Sequence, residues 1–68
     1  MPVQSVLFDR DLWSQVKAIK FLKLHEKKYN KVDYTTNKMR FRQYNPKKNA
    51  KYITKNIANG VQYVIEIQ

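Results

Sequence analysis

Hydrophobic and polar positions follow two different periods along this chain. Residues 3 to 8, "VQSVLF", are strand formers that run into "DRDLW", where Asp9 or Asp11 is placed to cap a helix. From Leu12 to about Lys28 there is neither Gly nor Pro, and Leu12, Val16, Ile19 and Leu22, with Ala18 beside them, recur at spacings of three and four. This predicts an amphipathic helix of about four to five turns. Lys17, Lys20, Lys23, Lys27 and Lys28 fall on its other side, roughly opposite Ala18 and Leu22. Trp13 and Leu24 project toward that lysine side. Trp13 belongs either to a first turn that bends over the core or to a dimer or ligand contact.

Beyond the helix the period becomes two. In "KVDYTTNKMRFRQY", Val32 and Tyr34 share one face of a strand, and Met39 and Phe41 one face of the next, while Lys38, Arg40, Arg42 and Tyr44 point the other way. The intervening "TTN" makes a hairpin turn. Pro46 forces Asn45 out of helical geometry, so residues 45 to 51 read as a loop. In the last segment Asn59-Gly60 is a strong hairpin signal and predicts a type I′ turn. After it, Val61, Tyr63, Ile65 and Ile67 alternate with Gln62, Val64, Glu66 and Gln68. The expected fold is α+β: one domain over residues 1–68, one amphipathic helix on a small antiparallel sheet, order β-α-β-β-β-β.

Length and composition narrow what such a domain can do. A chain of 68 residues buries only about 60% of its unfolded surface. With no cysteine and one histidine it has neither disulfides nor the ligands for a protein-only zinc site. Its net charge of +9 comes with 43% hydrophobic residues, which separates it from a disordered basic tail. Such a charge attracts nucleic acid, anionic lipid or acidic protein. The apolar runs are too short for a membrane span, and Asp9 interrupts the N-terminal one, so a soluble protein, intracellular at synthesis, is expected. Membrane-surface association lacks the exposed apolar helix face it requires.

Catalytic chemistry is thin. His25 stands alone near a helix end, and the carboxylates are scattered at Asp9, Asp11, Glu26, Asp33 and Glu66. A single glycine does not make a phosphate-cradling loop. The chain reads as a non-enzyme without cofactor or metal.

The basic residues form two blocks. Residues 17 to 31 hold six lysines against Glu26, and residues 37 to 55 hold seven Lys and Arg with no acid among them. Solvated helix lysines ordinarily alternate with glutamates four residues away, and unpartnered like charges cost a few tenths of a kcal/mol per pair. An external polyanion is the more economical account of both blocks. In the second block Arg40 and Arg42 leave one face of a strand about 7 Å apart, near the spacing of successive phosphates. Tyr44 on that face is placed either to stack on a base or to be an ordinary amphipathic surface residue. The candidate contacts are Lys17, Lys20, Lys23, Lys27 and Lys28 as one phosphate track, and Arg40, Arg42, Tyr44, Lys47, Lys48 and Lys51 as a second. No recognition helix or ribonucleoprotein aromatic motif accompanies them, so binding would be led by phosphates and indifferent to sequence.

"SVLFDRDLW" with Ala18, Phe21-Leu22 and His25, then "KVDYTTNKMRFRQYNP" and "YITKNIANGVQYVI", resembles a small α+β domain that recurs in phages and large DNA viruses. It is also similar to a small abundant virion protein of marseillevirus-type giant viruses. Asn37 with Arg40-Phe41-Arg42-Gln43 is the most specific part, and the resemblance spans nearly the whole chain. It implies a viral origin, a compact fold without a catalytic motif, and a place in the virion, or in the host nucleus or cytoplasm during infection. One departure is that Glu26 stands where that pattern has a glycine after the histidine. The expected function is non-sequence-specific nucleic-acid binding, to DNA ahead of RNA, with genome condensation or organisation in the particle. The rival is a virion interaction module that docks an acidic protein. The small core and the assumed free edges of the terminal strands suggest a homodimer.

Overall fold

The computed structural model describes residues 2–67. Strand β1 (Val3–Asp9) leads to helix α1 (Gln15–Leu24), followed by β2 (Val32–Tyr34), β3 (Lys38–Arg42), β4 (Tyr52–Ala58) and β5 (Val61–Glu66). All pairings are antiparallel, and the sheet order is β2-β3-β1-β5-β4. The order β-α-β-β-β-β with the helix on one side is therefore the one the hydrophobic pattern predicts. No helix among the described residues is long and apolar enough to cross a membrane.

β1 lies at the centre because it offers apolar side chains to two neighbours at once. Val6 stands opposite Phe41 and Tyr63, and Phe8 opposite Met39 and Val61. Directly opposed residues share a face, so these rows make one apolar surface, onto which Ala18 and Leu22 drop from α1, four residues apart. The ring of Phe8, fully buried, meets Trp13, Phe21 and Phe41 at centroid distances of 5.1, 5.6 and 5.6 Å. The last two contacts are edge-to-face, a favoured aromatic geometry.

The helix is shorter than its periodicity predicts. Asp9 does not cap it. The Asp9 carboxylate accepts the Asp11 N–H at 3.0 Å and its carbonyl accepts those of Leu12 and Trp13, closing a turn after β1. Ser14 is the N-cap, its hydroxyl accepting the Lys17 N–H at 3.3 Å. Trp13 therefore precedes the helix and folds back over the core, donating its indole N–H to the Asn59 carbonyl at 2.9 Å. Leu12 and Val16 are 52% and 65% exposed, against the expectation that they are core. Val16 stands two residues from Ala18, about 200° round a helix, and so belongs to the lysine side. Phe21 fills the corresponding place against Phe8.

The helix ends at Leu24. His25 is the C-cap, and Glu26 takes a left-handed conformation with φ 56°. Glu26 N–H donates to the Lys23 carbonyl at 3.2 Å and Lys27 N–H to that of Leu22 at 2.7 Å, which is the Schellman pairing. A glycine fits this position without a Cβ penalty.

Two further expectations change. Gly60 has φ 78°, but Asn59 is not among the residues of positive φ, so the β4-β5 turn has the type II sign pattern rather than I′. A bulge between Asn56 and Ala58 immediately precedes it. The sheet edges are β2 and β4; the terminal strands β1 and β5 are each paired on both sides. The reason given for a homodimer, free edges on the terminal strands, does not hold.

Glu26→Gly is expected to raise stability by about 0.5–1 kcal/mol, relieving left-handed strain and removing an acid from the negative helix end; urea unfolding midpoints measure this. At Gly60 a Cβ would meet Trp13 Nε1 and Leu12 Cδ1 at 3.0 Å in addition to the positive φ. Gly60→Ala is expected to lower stability by about 1–3 kcal/mol in the same assay.

Candidate nucleic-acid interface

The alternation that buries Met39 and Phe41 sends Lys38, Arg40 and Arg42 to the side of the sheet away from α1. No second layer covers that side except at one end. There the segment joining β3 to β4 turns back across it. Tyr44 donates its hydroxyl to the Glu66 carboxylate, Lys47 Nζ approaches the other Glu66 oxygen at 3.4 Å, and the Lys47 N–H donates to the Tyr52 hydroxyl at 2.9 Å. A bulge between Val3 and Ser5 brings Gln4 into the same region, where its amide donates to the Tyr44 carbonyl at 2.8 Å. Ser5 donates to Gln4 Oε1 and accepts from Arg40 Nε at 3.3 Å. Gln4, Ser5 and Glu66 are thereby buried and fully hydrogen-bonded beneath the loop.

This end is a structural clasp, and it revises the role expected of Tyr44. Its hydroxyl is committed to Glu66, and the Lys47 ammonium lies 5.7 Å from its ring centroid, over the surface a stacked base would need. Burial raises the Tyr44 pKa, and the Glu66 hydrogen bond and charge raise it further. The same hydrogen bond lowers that of Glu66, with Lys47 assisting against the opposing effect of burial. The segment 37–55 is also less lacking in counter-charge than its own sequence suggests. Arg42 pairs with Asp33 at 2.9 Å and Lys47 with Glu66. Both acids lie outside the segment, and only pairing across the sheet reveals them. Lys38, Arg40, Lys48, Lys51 and Lys55 have no ion pair among the described residues.

On the opposite side of the molecule, Lys17, Lys20 and Lys23 are exposed along the outer surface of α1. Lys27 and Lys28 do not extend that row, because the left-handed turn at Glu26 redirects the chain. Lys27 lies with its ammonium 5.7 Å from the Tyr63 ring centroid. Lys28 is held to the end of the sheet by Gln43, whose Oε1 accepts the Lys28 N–H at 2.7 Å and whose amide donates to the Lys28 carbonyl at 2.9 Å. A cleft of about 230 Å³ opens there, lined by Lys28, Lys31 and Arg42 with Asn30, Gln43 and Asn45. The two predicted tracks thus lie on opposite sides of the sheet, and Lys28 joins the group of Arg42 rather than that of the helix.

The sign of the Glu66 contribution follows from its lowered pKa. Over that interval the unfolded chain binds more protons, so stability rises with pH. The contribution is complete above the ordinary carboxylate value of 4.5 and is lost as pH falls through the folded value. Glu66→Gln is expected to lose less stability than the wild type between about pH 7 and about pH 3, measured by urea unfolding at each pH; equal losses would remove Glu66 from the acid response.

Comparisons of the chain with protein-family models, curated proteins and solved structures find no match. A functional reading therefore rests on the residues themselves.

Proposed function

We propose that this protein binds nucleic acid, duplex DNA ahead of RNA, through the phosphate backbone and without reading sequence. The observation that carries this is the distribution of its cations. Of 14 Lys and Arg, only Arg42 and Lys47 form ion pairs among the described residues; of the other twelve, nine are exposed, among them Lys17, Lys20 and Lys23 on α1 and Lys48 and Lys51 in the loop between β3 and β4, while Lys27, Lys38 and Arg40 are partly exposed. Neutralising phosphates with such groups releases condensed counterions, which drives binding at low salt and weakens it steeply as salt rises. Arg40, which has no ion pair among the described residues, also offers a planar donor fork suited to phosphate oxygens.

The setting that goes with this reading is a virus particle, in which the protein would organise or condense the genome. A second reading, docking onto an acidic protein, is favoured by β4. That edge strand is unpaired on its outer side and exposes Ile53 and Ile57, as a strand-addition surface would.

Fluorescence anisotropy of a labelled random-sequence duplex, at low and near-physiological salt with single-stranded DNA and RNA as competitors, tests the proposal. Tight, steeply salt-dependent binding is expected. Replacing Lys20, Lys23, Arg40 and Arg42 by Gln should flatten the slope of log K against log salt by about 0.9 for each phosphate that the variant leaves unneutralised while circular dichroism is retained. Unchanged affinity in that variant would overturn the assignment, and absence of binding even at low salt would favour the protein-docking reading.

A further inference from the structure

Resting on nucleic-acid binding, we infer that one copy of this protein holds two duplexes at once. One duplex lies against Lys17, Lys20 and Lys23, and the other against Lys38, Arg40 and Lys48 on the far side of the sheet, so that the protein bridges DNA segments.

The two groups cannot serve one surface. Ala18 and Leu22 face the sheet from α1, and Met39 and Phe41 face α1 from β3, all inside one buried core. The α1 lysines lie outside the helix layer, and Lys38 and Arg40, alternating with Met39 and Phe41, lie outside the sheet layer. Lys48 borders the cavity over Glu66 on the same sheet side. The hydrophobic core thus separates two cationic surfaces that point apart, and none of these six groups has an ion pair among the described residues.

Distance makes simultaneous occupancy permissible. The molecule measures 32 × 22 × 19 Å, so even its shortest dimension exceeds twice the Debye length of about 8 Å at physiological salt. Two duplexes kept apart by it repel each other little. Each surface has few contacts, so a single copy captures a second duplex weakly. Copies lined along one duplex present their outer surfaces as a row, and a second duplex then binds that row multivalently.

A second copy is not needed to double the valency. The midpoint of the exposed edge strand β4 is Lys55, so antiparallel self-pairing centred there sets two ammonium groups opposite one another, a destabilising pair and a common guard of strand edges.

A capture assay tests the inference. An unlabelled duplex is fixed to beads, coated with protein at low salt, and challenged with a fluorescent duplex of unrelated sequence. One variant carries Lys17→Gln, Lys20→Gln and Lys23→Gln; another carries Lys38→Gln, Arg40→Gln and Lys48→Gln; both are checked by circular dichroism. The wild type is expected to coat the first duplex and retain the second. Each variant should still coat the first while retention of the second falls to the protein-free background. Coating by the wild type without capture overturns bridging, and capture at the wild-type level by either variant assigns it to self-association instead. A variant that no longer coats overturns the independence of the two surfaces. Failure of the wild type to coat at all refutes nucleic-acid binding itself, and bridging with it.

Discussion

Phe8 is the contact on which the other layers depend. It sits in the central strand, opposite Met39 and Val61 in its two neighbours, and its ring meets Trp13, Phe21 and Phe41. One side chain thus joins three strands, the helix and the turn before it. A domain this small, without disulfide or metal, has few ways to build a core, and here the buried apolar mass gathers on one side of one sheet. The opposite side is left to polar chemistry. Where that side is covered, a short loop does the covering, and the buried groups beneath it, Gln4, Ser5 and Glu66, are satisfied by hydrogen bonds rather than by apolar contact.

The strands are legible in the sequence because alternation is a local property. Val32, Met39, Phe41, Val61 and Tyr63 occupy the face their spacing predicts. The helix is legible in its middle and not at its ends. Leu12 and Val16 satisfy a three-and-four spacing with Ile19, yet Ala18 and Leu22 satisfy another, and which stripe is buried depends on where Phe8 and Phe21 meet. That is a tertiary choice, and a single sequence does not display it. Likewise Ser14 displaces Asp9 as the cap because Asp9 is already engaged in the turn leaving β1. At Asn59-Gly60 the residues locate the turn, but its type is set by the neighbouring bulge and by Trp13 lying on Gly60.

Charge shows the same division between local and long-range information. The number of cations and the absence of acids near them are plain in the sequence. Which of those cations are free is not, since Asp33 reaches Arg42 across β2 and β3, and Glu66 reaches Lys47 from the last strand. The candidate tracks read as two because they lie in two segments. Their placement on opposite sides of the core follows from sheet geometry: a residue beside Phe41 on a strand faces away from whatever Phe41 faces.

Opposed charge also bears on why so cationic a small domain folds. With a net charge of +9, compaction brings like charges together, and self-repulsion subtracts from a stability that small domains hold in little excess. Dividing the cations between the two outer surfaces, with the core between them, lengthens the distances over which they repel beyond the screening length at physiological salt. Gathering them on one face would sharpen the local field for a single polyanion and concentrate the repulsion in the free protein. A polyanion that binds only the folded chain stabilises it by mass action, and on a two-sided domain each bound surface contributes separately. The arrangement that costs the free protein least is thus also the one that leaves both sides of it able to take a ligand.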